Sequence, residues 1–215
     1  MDQINFTRDY MNDAIRGMSV TWRNRDMERL LDQNTIDHLS SIAIQTPRKQ
    51  SNKYFNVFSI TNQELILKLY PYTAVPEDDG PQPYNPQIIA PLLLVWISCD
   101  LELGELSKNY LINDEKQQGN DVLIDTHQAV GISAGVVAYE ANQMGLATGF
   151  CRCISSNGVK KELETYGINF NSTDKVLLTL SIGYPLFHDP RQHQLIEGFY
   201  FEPHNKVDAG LIYIV

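Results

Sequence analysis

Residues 19–29, SVTWRNRDMER, form the one dense arginine cluster in a chain of net charge −9. Guanidinium groups held close together bind a phosphate or similar oxyanion through paired donors. The plain alternative for such a run is a solvated charged turn. A second cationic stretch, residues 47–54 (PRKQSNKY), is a polar loop that leads straight into an apolar segment. Beyond these two stretches the chain is poor in reactive groupings. It holds no GxGxxG, Walker loop, HExxH or GxSxG motif, and no Cys/His cluster at metal-ligand spacing. The five histidines, His38, His127, His188, His193 and His204, are scattered and read as structural or exposed. Chemistry that needs an acid–base or nucleophilic constellation has no support, whereas binding an anion with arginines does.

These residues need a scaffold, and composition sets its class. A length of 215 residues is enough for one core, and 43% hydrophobic with 20% charged residues is ordinary for a water-soluble protein. The acidic balance argues against nucleic acid or an anionic membrane as partner. Cys99, Cys151 and Cys153 are too few for a disulfide framework and are expected to be free. Met1 to Arg16 is polar and amphipathic, so no signal peptide is expected, and the longest apolar run, Ile88 to Cys99, is short for a membrane span. A cytoplasmic protein is the expectation.

The element the chain is organised around is Ala129 to Ile154. Val130, Val137 and Met144, with Ile132, Val136 and Tyr139, recur at helical spacing. Between them runs a stripe of small residues, Gly131, Gly135, Ala138, Ala141 or Asn142, and Gly145, which lets another backbone or a flat ligand come close. Gly145 has the place of a helix-stopping glycine, and Leu146 to Ile154 reads as a strand. Upstream, Arg8 to Arg16 has helical character, and Asn34 or Thr35 is expected to cap a helix that stops at Thr46-Pro47. A strand from Phe55 to Thr61, a helix from Gln63 to Tyr70 and a Pro-rich loop over residues 71–89 follow. Leu92 to Cys99 is a continuous apolar run, so a central strand covered on both faces. Glu102 to Asp121 lacks a strong period and reads as an excursion or lid, with Asp125 or Thr126 capping the organising helix. A helix from Val159 to Tyr166 ended by Gly167, a strand from Val176 to Ile182, and a terminal strand from Ala209 to Val215 complete the reading. That last strand needs a sheet edge, its own or a second subunit's.

The order of these parts carries more information than any one motif. An arginine segment, a helix, a Pro-led polar loop entering a strand, a buried strand, a Gly/Ala helix ending in GLATGF, and then LSIGYP resembles the nitroreductase family of flavin-dependent oxidoreductases. The resemblance spans about residues 14–191 and is strongest over Gly131 to Cys153 and Leu180 to Pro185. It implies one α+β domain over residues 1–215, with a central, mainly antiparallel sheet flanked by helices. It also implies a homodimer with FMN at the interface and the terminal segment wrapped on the partner.

Residue by residue, the family's Arg-x-Ser-x-Arg segment for the FMN phosphate falls on Ser19, Thr21 and Arg23, with a second register ending at Arg25. Ser19 replaces the first arginine. The family's Pro-Ser-x-x-Asn loop over the flavin falls on Pro47, Arg48, Lys49 and Ser51, where Arg48 replaces the serine and Ser51 the asparagine. Gly149, Cys151, Arg152 and Cys153 match the strand whose backbone N–H meets flavin N5. Arg191 stands where the family often has a late phosphate-binding arginine, and Gln82 or Asn85 matches its pyrimidine-edge amide. The implied activity is hydride transfer from NAD(P)H to flavin N5, then reduction of a nitroaromatic, quinone or similar acceptor by a ping-pong route. No catalytic side chain is required for it. The altered Ser19 and Arg48 positions leave two other readings open: a flavin-binding dimer with little turnover, and a specialised relative such as a dehalogenase or flavin-fragmenting enzyme.

Overall fold

The computed structural model describes residue 17 and residues 20–73, 84–99, 115–186 and 189–200, with side chains within 115–121 and at position 50 left aside. Ser19, Gln82, the Arg8 to Arg16 segment, residues 102–114 of the excursion and the Ala209 to Val215 strand lie outside the described residues. Among the described residues the chain runs α1 (Gln33–Gln45), β1 (Phe55–Ile60), α2 (Gln63–Leu69), β2 (Leu92–Ser98), α3 (Glu115–Gln143), β3 (Ala147–Cys151), α4 (Ser156–Glu164) and β4 (Val176–Gly183). The strands form one sheet in the order β1-β2-β4-β3, and every described pairing is antiparallel. This is the α+β arrangement expected, a mainly antiparallel sheet flanked by helices. No helix among the described residues is long and apolar enough to cross a membrane.

The two central strands are buried on both faces, as their unbroken apolar sequences require. Their alternation divides the core in two. Leu92, Leu94 and Trp96 meet Leu39 and Ala43 of α1 and Ala134, Val137, Ala138 and Ala141 of α3. Leu93, Val95 and Ile97 meet Leu65, Ile66 and Leu69 of α2 and Val159 and Leu163 of α4. The first layer is pinned by a polar relay. The Trp96 indole N–H donates to Ser133 Oγ at 2.9 Å, and that hydroxyl donates to the Ala43 carbonyl at 2.6 Å. Each buried polar atom in the relay is thereby satisfied.

Helix ends follow local chemistry. The cap of α1 is Asp32 and not Asn34 or Thr35, because Asp32 is extended and can accept from Thr35 twice, at N (2.9 Å) and at Oγ1 (2.8 Å). Those bonds hold its carboxyl below the usual carboxylate range. Asn62 and Ser155 cap α2 and α4 in the same way. Gly145 ends α3 with φ +76°, and the bonds Gly145 N to Asn142 O (3.0 Å) and Leu146 N to Ala141 O (2.9 Å) make a Schellman turn.

Two expectations for α3 need correction. The helix is already formed at Glu115, so residues 115–121 belong to it and Asp125 and Thr126 lie inside it instead of capping it. Thr126 donates its hydroxyl back to Val122 O at 2.7 Å, a bond available only within a helix. The small-residue stripe is also divided. Ala138 and Ala141 are buried against the sheet, whereas a Cβ at Gly131 or Gly135 would meet nothing within 4 Å. Leu123, Ile124, Ile132 and Val136 share that outward side and are exposed.

A candidate anion and flavin site at the edge of the sheet

Among the described residues β3 pairs with β4 alone, so its outer edge is open to other chain. The arginine segment takes that edge. Trp22 N donates to Thr148 O at 3.0 Å, and residues 189–200 then clasp the segment from the far side. Arg23 N donates to Pro190 O (3.0 Å), Asn24 Nδ2 to Asp189 O (2.9 Å), and Gln194 Nε2 to Arg25 O (2.8 Å). The clasp is itself anchored by His193, whose Nδ1 accepts the N–H groups of Leu195 and Ile196, each at 3.0 Å. Burial holds the His193 pKa below its ordinary value, so the ring stays a neutral acceptor.

This arrangement brings Arg23 and Arg191 within electrostatic reach of one another. Both are half-buried, and their like charges act on one another, although burial is the larger cause of the lowered Arg23 pKa. Arg191 lies beside Asp189 at 3.5 Å and over the Tyr200 ring at 4.9 Å. Thr21, two residues before Arg23, is half-buried. Two guanidiniums at one place are a donor set suited to a phosphate.

Arg25 does not present itself to a ligand. It is 0% exposed and gives Nη1 to Gln87 O at 3.1 Å and Nη2 to Ser181 O at 3.3 Å. Of the two registers left open by sequence, the one ending at Arg23 puts a guanidinium where a ligand could reach it. Arg29, the last of the cluster, stacks 3.4 Å from the centre of the Tyr184 ring. Gly149 is required where it stands, because a Cβ there would run into the Arg25 guanidinium and into Trp22 O at 2.5 Å. Cys151 ends β3 and is buried, which pushes its thiol up to about 11. Arg152 and Cys153 follow it as exposed residues outside the strand. All three cysteines are free.

The Pro47 loop is elsewhere. Pro47, Arg48, Lys49 and Ser51 lead into β1, the opposite edge strand of the sheet. Three strand spacings separate the two edges, which is about 14 Å. The loop is tied down by Lys49 Nζ to Asp125 Oδ2 on α3 at 2.8 Å, and by the Tyr54 hydroxyl donating to Lys49 O at 3.4 Å. Arg48 lies 5.9 Å from the Phe55 ring centre. Ser51 has φ +57°, a left-handed conformation that asparagine and glycine adopt more readily. Asn85 uses its side chain to cap its own turn, accepting from Gln87 N at 3.1 Å.

Reasoning from sequence missed Gln87, Ser181, Asn24 and Gln194. The Ser181 hydroxyl lies between the carbonyls of Gln87 and Gly149, and Gln87 gives its carbonyl to Arg25. Gln87 acts through its carbonyl, and Asn24, Ser181 and Gln194 give side-chain donors to backbone carbonyls of distant residues, contacts that leave no pattern in the sequence.

Solved structures share the fold of this chain. A nitroreductase with bound FMN from Bacteroides fragilis NCTC 9343 superposes with a TM-score of 0.62 at 14% identity, over 95% of this chain and 98% of that one. The chain has the nitroreductase fold. Nitroreductase A from Vibrio parahaemolyticus RIMD 2210633 gives 0.62 at 12% identity, over 91% and 78%. An FMN-dependent nitroreductase from Clostridium difficile R20291 gives 0.54 at 16% identity, over 86% and 95%. No family profile matches the chain, and no curated protein does either. The likeness therefore lies in the nitroreductase architecture, with little retained sequence.

Proposed function

We propose that this protein is an FMN-dependent oxidoreductase, a homodimer of single-domain chains that takes hydride from NAD(P)H and passes it by a ping-pong route to a nitroaromatic, quinone or similar small acceptor. The observation that carries the reading is the Arg23 and Arg191 pair, held at the β3 edge of a nitroreductase fold. These two guanidiniums would grip the phosphate, with Thr21 as a hydroxyl donor beside them. Backbone groups from Gly149 to Cys153 would face the reacting edge of the ring. When bound, the flavin supplies the two-electron chemistry, and the protein supplies orientation and charge.

The separation of the two cationic stretches supports a site built by two chains. One copy would bring the Arg23 edge, and the other would bring Arg48, Lys49 and Ser51 from its β1 edge. The exposed apolar side of α3 is the surface that would join them, since Gly131 and Gly135 allow close approach of a second helix. The outer edge of β1 carries no strand among the described residues, and a partner's terminal strand would pair there.

The test is an absorbance spectrum of the purified protein, repeated without oxygen after adding NADPH and then NADH. Flavin bands near one per chain that bleach with a nucleotide are the expected result. Bound flavin that neither nucleotide reduces would favour a flavin-binding dimer with little turnover. A colourless protein that takes up no added FMN would remove the cofactor from the account.

A further inference from the structure

We propose that Arg25 is a buried positive charge that strengthens phosphate binding at Arg23 and Arg191 without touching the ligand. The proposal rests on the anion site described above, and not on what else the ligand carries. Arg25 is 0% exposed, and its Nε has no partner among the described residues. The described ion pairs leave it out. The acid next to it in sequence, Asp26, turns its Oδ1 to the N–H groups of Glu28 (3.0 Å) and Arg29 (3.2 Å). Its recorded charged neighbour is Arg23, another cation.

A fully buried charge with no counter-charge among the described residues is costly, and the cost falls when an anion arrives nearby. Burial, with a further contribution from Arg23, lowers its proton affinity to about 9, which still leaves it charged near neutrality. Were Arg25 needed only to fill space between Gly149, Gln87 and Ser181, an apolar side chain of similar length would serve. The two carbonyl bonds fix the guanidinium so that its charge stands under the segment carrying Arg23. Arg25 is thus a positioning and electrostatic residue, two places along the chain from the one that would touch the ligand.

The experiment measures the affinity of the full-length chain, cleared of flavin, for inorganic phosphate and for sulfate, by thermal stabilisation, in wild type, Arg25→Met and Arg25→Lys. Loss of the charge in Arg25→Met should weaken both anions on the order of tenfold, the effect of one unit charge about 12 Å away through an effective dielectric constant of about 20. Unchanged affinity in a folded Arg25→Met protein would overturn the proposal. Where that variant does not fold, Arg25→Lys decides, because desolvation makes a buried lysine lose its proton at lower pH than an arginine. Sulfate affinity of Arg25→Lys should then fall as pH rises from 6 to 8, a range over which wild-type Arg25 keeps most of its charge and its affinity changes little, and equal profiles would refute the charge role. FMN and riboflavin separate the sources of the phosphate. Anion binding without flavin binding leaves Arg25 in its role and removes the cofactor. Equal binding of FMN and riboflavin, with no response to phosphate, removes the anion site and this proposal with it.

Discussion

The two edges of the sheet carry similar cargo, cationic residues on irregular chain, yet they are built differently. At the β3 edge the arginine segment is fastened by main-chain bonds to Thr148 and Pro190 and by the side chains of Asn24 and Gln194, with Arg25 sealed beneath. At the β1 edge the Pro47 loop is held by an ion pair whose lysine is 47% exposed, and it contains one residue in a left-handed conformation. The first edge is suited to fixing a charged group in one position. The second, fastened by a half-exposed ion pair, is held less firmly.

The contrast can be broken in steps. The largest effect is expected from Arg23→Ala combined with Arg191→Ala. Two charge-assisted contacts worth about 1.5–3 kcal/mol each should go, so FMN affinity falls roughly a hundredfold or more. Titration of the apo-protein with FMN checks it, and a double variant purified yellow would move the phosphate site elsewhere. Next comes Gly149→Ala, whose methyl group meets the Arg25 guanidinium and a backbone carbonyl. Urea denaturation should show a loss of about 1–3 kcal/mol, the usual range for overpacking. No loss would mean that the β3 edge is as pliable as the loop.

At the other edge the effects shrink. Asp125→Asn keeps the shape of the pair and removes its charge. Because Lys49 is half exposed, stability should fall by no more than about 1 kcal/mol. Proteolysis within residues 47–54 should nevertheless speed up, and an unchanged cleavage rate would mean that the ion pair does not hold the loop. Smallest, and opposite in sign, is Ser51→Gly. Relief of the positive φ should raise stability by a few tenths of a kcal/mol, up to about 1, net of the extra freedom of glycine in the unfolded chain. A fall in melting temperature would show that the Ser51 hydroxyl matters more than its backbone.

Much of the scaffold was legible because burial writes itself into pattern. The apolar run at Leu92 announced a central strand and that at Val176 a strand, and both lie in the middle of the sheet. Gly145 announced the end of α3 and ends it. The start of α3 was not legible, since EKQQGND at 115–121 carries no apolar period to mark helix. Choosing between Arg23 and Arg25 was equally out of reach. The two lie two residues apart, and their different fates are set by β3 and by a clasp some 165 positions later, as the Asn24 to Asp189 bond illustrates. Sequence periodicity reports a residue's own element, and here the decisive neighbours belong to others.

The chain has two tryptophans, and they stand in unlike places. Trp96 is sealed in the core with its indole N–H spent on Ser133, while Trp22 is only half-buried and belongs to the segment that carries Arg23. Fluorescence from the two therefore carries separate news. Emission from Trp96 reports whether the core is intact, and emission from Trp22 reports what happens beside the arginines. The protein has a light source built into each of its two questions, whether it is folded and whether its edge is filled.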